Sequence, residues 1–437
     1  MGNNVLLLII LLILFSVFYI AHNRKFGPSN LFALVFIIPL SVVILEDSLI
    51  SYTISMQTIG IIVVSLLVFF LGEIMVYRSG HIVPRKEYPP YRLEVKNKYA
   101  IIALAIQLVN VYINLKYLRE VGNYYGTNDL IGAYTINRVK AIEATETGEL
   151  DVPYPSYFYL VSIIAVSVQV CCLHILASNK IKYGQRLMDN KYLFFSVLLF
   201  VLSLIFNGGR ASFFPVIVHV LYLTLVSFRS LSFADYFKKN RFKVLVWLSV
   251  GIICFFALGN LRNMASADDT GNLSFDVEET MAGYIGAPLV GLDLYVKDGM
   301  KQYPHIGQQT FGTIYSVLEH VGYHVETPQF HQDDFYVGKI KSNVYMGLSL
   351  WLKDFSIPGA WLFLFFLGCI YGYIFYLEQI RRVNPTNIAL NYLFAYMYFA
   401  LSMSFFDSQY YTILSTSMIY KLFIIYFIQK KIVKKVI

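Results

Sequence analysis

Val5–Ala21, VLLLIILLILFSVFYIA, runs for seventeen residues without a charge, and Arg24 and Lys25 close it at one end. A helix that crosses hydrocarbon needs about 20 mostly apolar residues. No basic residue precedes the run and no small-residue cleavage site follows it, so it reads as a span rather than a signal peptide. Ten more runs of this kind lie at 29–45, 57–76, 99–118, 156–178, 192–206, 212–228, 244–260, 357–377, 388–406 and 410–428. Of the 437 residues, 57% are hydrophobic and 14% charged, against about 25% charged in soluble domains. That composition excludes a soluble enzyme and a disordered chain. It predicts an all-α polytopic membrane protein of about eleven transmembrane helices, forming a single membrane domain over 1–437.

Lys and Arg set the orientation. With the N-terminus outside, the inner connections hold 23 basic and 5 acidic residues, the outer ones 10 and 21. The C-terminus then lies in the cytoplasm, where Lys430, Lys431, Lys434 and Lys435 meet anionic lipid. The net charge of +8 is thereby a topology signal, and no nucleic-acid partner is expected. Two outer loops are long, 119–155 and 261–356, and the second carries apolar stretches that predict short helices lying on the bundle. The inner loops show no Walker-type glycine loop and no DxD pair, so no nucleotide site is expected there. Cys171, Cys172, Cys254 and Cys369 all fall in apolar runs without metal-ligand spacing and read as small core residues.

The sharpest local feature is Asn207-Gly208-Gly209-Arg210, between the sixth and seventh runs. Consecutive glycines expose backbone N–H groups to an anion, and arginine adds a fixed fork for phosphate oxygens. A tight turn with one snorkelling arginine is the competing reading. Arg262 follows the eighth run at a similar depth, and Arg138 and Lys140 form a basic pair in the first outer loop. Outer arginines run against the charge rule, and a lipid diphosphate supplies a reason for them. In the second loop His320 and His324 stand four residues apart, without the glutamate of a zinc protease. They read first as plain surface residues and otherwise as acid/base groups; Asp293, behind the apolar stretch Gly286–Leu292, is a further candidate base. His219, in mid-span, calls for a hydrogen-bond partner within the bundle. Glu73 and Lys116 lie near span ends and are expected to snorkel. No metal site and no cofactor are expected.

Three patches resemble one known family, the bacterial O-antigen (Wzy) polymerases. They are Gly208-Gly209-Arg210 opening a span, Tyr284-Ile285-Gly286-Ala287-Pro288 running on to Asp293, and Ser342-Asn343-Val344-Tyr345 followed by Trp351-Leu352-Lys353-Asp354-Phe355-Ser356-Ile357-Pro358-Gly359. The last leads into a span containing Gly368, Tyr371 and Gly372, and the layout of spans and outer loops is similar too. Met346 departs from the family's small hydroxyl residue, and Ser356-Ile357-Pro358 alters the run before Gly359.

The resemblance implies a glycosyltransferase of the bacterial inner membrane that acts on undecaprenyl-diphosphate-linked oligosaccharide at the outer face. It would pass the growing glycan from its lipid diphosphate to a new lipid-linked repeat unit, building O-antigen, capsule or another surface polysaccharide. Arg210, Arg262 and Arg138 would offset charge on the departing diphosphate, with Lys140, Gly208 and Gly209 beside them. His320, His324 or Asp293 would take the proton of the acceptor hydroxyl. Tyr284 and Tyr345 would stack on sugar faces. A chain-length regulator and a flippase of the same pathway are the implied partners. Two other readings stand: an O-antigen ligase with the same donor, and a flippase or transporter of lipid-linked oligosaccharide. Sparse charge within the spans and the lack of a repeat weigh against transport.

Overall fold

The computed structural model describes residues 2–79, 92–127, 129–130, 132–134, 136–137, 140, 152–206, 214–228, 277–323, 335–379, 384 and 386–436. In chain order its helices are α1 Gly2–Ala21, α2 Pro28–Leu45, α3 Asp47–Ile50, α4 Met56–Ser79, α5 Asn97–Tyr124, α6 Ser156–Tyr183, α7 Lys191–Phe206, α8 Phe214–Phe228, α9 Val277–Met281, α10 Ala287–Lys297, α11 Gly312–His320, α12 Gly347–Gln379, α13 Ile388–Met403, α14 Tyr410–Ile413 and α15 Thr416–Lys431. Four short strands, β1 Arg92–Glu94, β2 Phe335–Val337, β3 Ile340–Ser342 and β4 Lys434–Val436, make two antiparallel pairs, β1–β4 and β2–β3. The described chain is thus mostly helical. Seven segments are long and apolar enough to cross a membrane: α1, α2, α4, α5, α6, Leu187–Leu204 and α12; the first eleven residues of α8 and α13 are shorter apolar helices. The expected span 244–260 lies outside the described residues, as does Cys254.

The chain divides into two compact units. The first comprises 1–86, 276–382 and 397–415. Its centre is the crossing of α4 and α12, where Gly72, Gly368 and Gly372 let the two backbones touch: a Cβ on Gly72 would strike the Phe365 carbonyl, on Gly368 that of Phe69, on Gly372 that of Glu73. Small residues at such a crossing let helices in lipid pack closely. Glu73, expected to snorkel, is instead fully buried; its Oε1 lies 2.9 Å from His22 Nε2 and its Oε2 accepts the Ser29 N–H at 2.8 Å. His22, just past the end of α1, is opposed in its charge by burial, yet Glu73's hydrogen bond and charge prevail and raise its pKa. A π turn, Ala282–Gly286, joins α9 to α10. Its last residue, Gly286, packs against the side chains of Ile50 and Val42, 2.7 and 3.2 Å from where a Cβ would stand.

The second unit comprises 87–275, 383–396 and 416–437. Its core gathers Ala100 and Ala103 of α5, Val168, Cys171, Cys172 and Ile175 of α6, Leu193 of α7, Tyr392 of α13, and Met418 and Ile425 of α15. Buried polar groups pair across it. Gln107 donates to the Ala165 carbonyl at 2.8 Å and Asn110 to Ser203 Oγ at 2.9 Å. His219 Nε2 lies 3.3 Å from His174 Nδ1, a partner within the bundle. Lys116 faces Glu120 at 3.7 Å, both exposed.

Candidate functional site

The site is built within the first unit, from α10, the loop before α11, the start of α12 and the connection 404–409. Asp293 on α10 is fully buried. Its Oδ1 accepts the Ser55 N–H at 3.0 Å and the Ser55 hydroxyl at 2.5 Å. Its Oδ2 accepts Tyr52 Oη at 2.8 Å and meets Lys297 Nζ, one helical turn on, at 2.8 Å. Burial opposes ionisation, but these donors outweigh it and hold the carboxyl below its ordinary range. A carboxylate with four donors and a lowered proton affinity is an anchor tying α10 to the start of α4, and it makes a poor general base. Its stabilising effect is present above the unfolded pKa and lost as pH falls through the lower folded one. Asp293→Ala is therefore expected to cost about 2–4 kcal/mol, read as a fall in melting temperature in detergent; an unchanged melt would refute the anchoring role.

α12 breaks at Ser356, whose φ of 61° and ψ of 178° are strained for a residue with a side chain. The sequence accounts for it. Pro358 has no N–H to give the Asp354 carbonyl four residues back, so Gly307 N–H serves that carbonyl at 2.9 Å and Tyr303 N–H serves Lys353 O at 3.0 Å. The buried Asp354 carboxylate adds Gln309 N–H at 2.9 Å, Thr310 N–H at 2.7 Å and the Thr310 hydroxyl at 2.6 Å. The loop 303–311 is thus clamped to the break from both backbone and side chain. Next to Asp354, Lys353 Nζ sits 5.0 Å from the ring centre of Tyr345 and 5.2 Å from that of Tyr295, a cation over aromatic faces.

The connection after α13 docks on the same stretch. Gly347 N–H donates to the Ser404 carbonyl at 2.8 Å and Trp351 Nε1 to Ser408 Oγ at 3.0 Å. Between these two ties stands Asp407, half-buried. Among the described residues its carboxylate accepts two neutral donors, Ser408 N–H at 2.6 Å and Gln409 Nε2 at 3.0 Å. Among the described residues no basic side chain forms an ion pair with it. Burial pushes its carboxyl up to about 7, against the pull of those two donors. Tyr303 is pushed up to about 12, first by burial and then by the charges of Asp354 and Asp407. Tyr284 stacks on Phe406, the neighbour of Asp407, with ring centres 6.0 Å apart. A half-buried carboxyl whose pKa is raised to about 7 by burial, near Tyr303 and next to the Tyr284–Phe406 stack, can exchange a proton with a bound hydroxyl compound.

Of the residues singled out by sequence, Asp293, Tyr284 and Tyr345 fall in this unit, and a Cβ on Gly291 would meet the Tyr345 ring at 3.1 Å. Lys140 belongs to the other unit, with Nζ 5.8 Å from the Tyr125 ring. Arg138, Gly208, Gly209, Arg210, Arg262, His324 and the side chain of His320 lie outside the described residues. Asp407 escapes the sequence reading although one signal marks it: it is the single charge between the apolar runs 388–406 and 410–428. Among the described residues no three His, Cys, Asp or Glu gather as metal ligands.

The helices define a multi-pass membrane protein: seven long apolar helices with a polar, tyrosine-rich cluster around a break in one of them. Beyond that class, the chain matches no protein-family model, no curated protein and no solved structure.

Proposed function

We propose that the chain polymerises undecaprenyl-diphosphate-linked oligosaccharide repeat units into a surface polysaccharide at the outer face of a bacterial inner membrane. In this reading it has eleven spans, with the N-terminus outside and the C-terminus in the cytoplasm. The supporting observation is that two of the patches resembling the Wzy polymerases, about fifty residues apart in sequence, pack on one another. A Cβ on Gly291 would meet the Tyr345 ring at 3.1 Å. At their edges Ser342 Oγ donates to the carbonyl of Gly283, just before the first patch, at 3.5 Å, and Met346 N–H, just after Tyr345, to that of Pro288 at 3.3 Å. Asp407 and its tyrosines stand beside them.

The chemistry follows from the donor. An acceptor sugar hydroxyl gives its proton to a base, and its oxygen bonds to the anomeric carbon of the donor glycan. The anomeric C–O bond breaks, and its electron pair leaves on undecaprenyl diphosphate. In this scheme Asp407 is the base, in place of the saturated Asp293. Arg210 and Arg262 offset the charge gained by the leaving group, where fixed cations lower the barrier most. Tyr284 and Tyr345 are apolar faces for sugar rings. The donor is already activated, so no nucleotide is consumed.

Purified protein given undecaprenyl-diphosphate repeat units is expected to yield a ladder of lengthened glycans, unaffected by chelator and lost in Arg210→Ala. Absence of a ladder from the wild type, with the same units carried across vesicle membranes, would replace this reading with transport.

A further inference from the structure

α11 carries Ile314, Val317 and Leu318, and Val321 follows at its end. The spacing i, i+3, i+4, i+7 puts the four on one stripe. In a loop bathed by water such a stripe turns toward the protein. Here it turns away: Ile314 is 54% exposed, Val317 52%, Leu318 36% and Val321 71%, with Ile306 at 78% and Tyr323 at 64% alongside. Tyr315 is half-buried and donates through its hydroxyl to the Ile306 carbonyl at 2.7 Å.

The position of the helix selects what covers this stripe. Asp354 clamps Gln309 and Thr310, and the Phe311 ring meets that of Phe355 at 6.0 Å, so α11 starts at the break of α12. Directly past that break runs the apolar part of α12, whose exposed Leu362, Phe366, Ile370 and Tyr373 form the stripe a span offers to lipid. The exposed face of α11 therefore begins at the level where this span leaves the hydrocarbon. From Gly312 to Val321 the sequence carries no Lys or Arg, and Glu319 is exposed, so attraction of the helix to anionic headgroups does not drive contact; apolar burial does.

We propose that α11 is an interfacial helix, lying along the membrane surface with Ile314, Val317, Leu318 and Val321 sunk into the headgroup–acyl boundary of the leaflet at that end of α12. Helices of this kind sink about 5–10 Å. The leaflet then holds α11 itself, while Asp354 holds the end of the 303–311 loop that leads into it, through Gln309 and Thr310. This inference does not rest on the polymerase reading.

The test uses the full-length protein in phosphatidylcholine nanodiscs. A fluorophore is attached to single cysteines V317C, V321C and E319C in a background with the native cysteines replaced by alanine. It is quenched either by a nitroxide on the lipid chain near the headgroup or by a water-soluble nickel chelate. Labels at 317 and 321 are expected to be quenched several-fold more by the lipid nitroxide than the label at 319, and several-fold less by the chelate. Equal chelate quenching at all three positions would overturn the proposal. So would protection at 317 and 321 without lipid quenching, which marks a protein partner or a second copy as the cover. Hydroxyl-radical footprinting of the unmodified protein guards against a misfolded cysteine variant: Tyr323, 64% exposed in the protein alone, is expected to react several-fold more slowly than Tyr336, 71% exposed, and equal rates would again overturn it.

Discussion

Asp407→Asn is expected to reduce chain extension by about 10²–10⁴-fold while leaving the protein folded. Asparagine matches aspartate in size; its carbonyl oxygen still accepts the Ser408 N–H, and with the Gln409 amide turned over its NH2 donates to Gln409 Oε1 where Gln409 Nε2 now donates to Asp407, so the ties of Gly347 to Ser404 and Trp351 to Ser408 survive. What it loses is the capacity to take a proton. The linkage gives this result a second, independent sign. A carboxyl whose folded pKa is about 7, against roughly 3.9 unfolded, loses stability as pH rises between those values, because the folded state resists the charge. The asparagine variant carries no such penalty and is expected to melt no lower than wild type at pH 8. A structural aspartate would show the reverse, with activity and stability falling together. The wild-type rate is expected to rise with pH through about 7 and to level off above it, a limb that the variant lacks. Extension rates measured from pH 5 to 9, with melting curves on the same samples, decide the matter. A variant that extends glycan at the wild-type rate removes Asp407 from the mechanism; a wild type that extends nothing removes the polymerase reading itself.

How far the chain can be read from its sequence depends on the range of the forces involved. The helices α1, α2, α4 and α6 fall within a few residues of their apolar runs, because hydrocarbon length and unpaired backbone groups act on any window of sequence alike. α12 is half legible. Its apolar part reads as a span from 357 onward, but Gly347–Phe355 reads as loop, because its helix ends at a proline-induced break and the donors completing it come from residues 303–310. Glu73 looks like a snorkelling charge near a span end; its burial depends on His22, fifty residues away, and on glycines of another helix. Asp293 is legible as buried but not as saturated, since Tyr52 and Ser55 come from a distant segment. Asp407 stands out in the sequence only as a single charge between two apolar runs; what surrounds it, Tyr303 and the docked connection, has no local signature. The arginines of the sequence reading belong to stretches outside the described residues, so their part in the site rests on residue chemistry.

Gly368→Leu is expected to prevent assembly of the first unit, and Gly368→Ala to cost about 1–3 kcal/mol or more. The reason lies in the surface shared by α4 and α12. A Cβ on Gly368 has no free space, since the Phe69 carbonyl and the Glu73 N–H occupy its place. The obstacle is backbone inside a helix, which cannot swing aside as a flexible side chain can. The helices must therefore separate, and in lipid no hydrophobic force draws them back together, because the tails are as apolar as the residues they would replace. Separation also draws Glu73 away from His22, leaving a buried charge without its partner, a change that costs several kcal/mol more in favourable geometries. Gly72→Leu and Gly372→Leu are expected to act alike, since each faces a carbonyl of the opposite helix. Gly60, on α4 itself, supplies the control: a Cβ there meets nothing within 4 Å, so Gly60→Ala is expected to be neutral or to gain up to about 1 kcal/mol from helix propensity. Thermal melts and monodisperse yield in detergent compare the set. If Gly60→Ala and Gly368→Ala behaved alike, the crossing would be looser than backbone against backbone, and the buried His22–Glu73 pair would lose its physical basis.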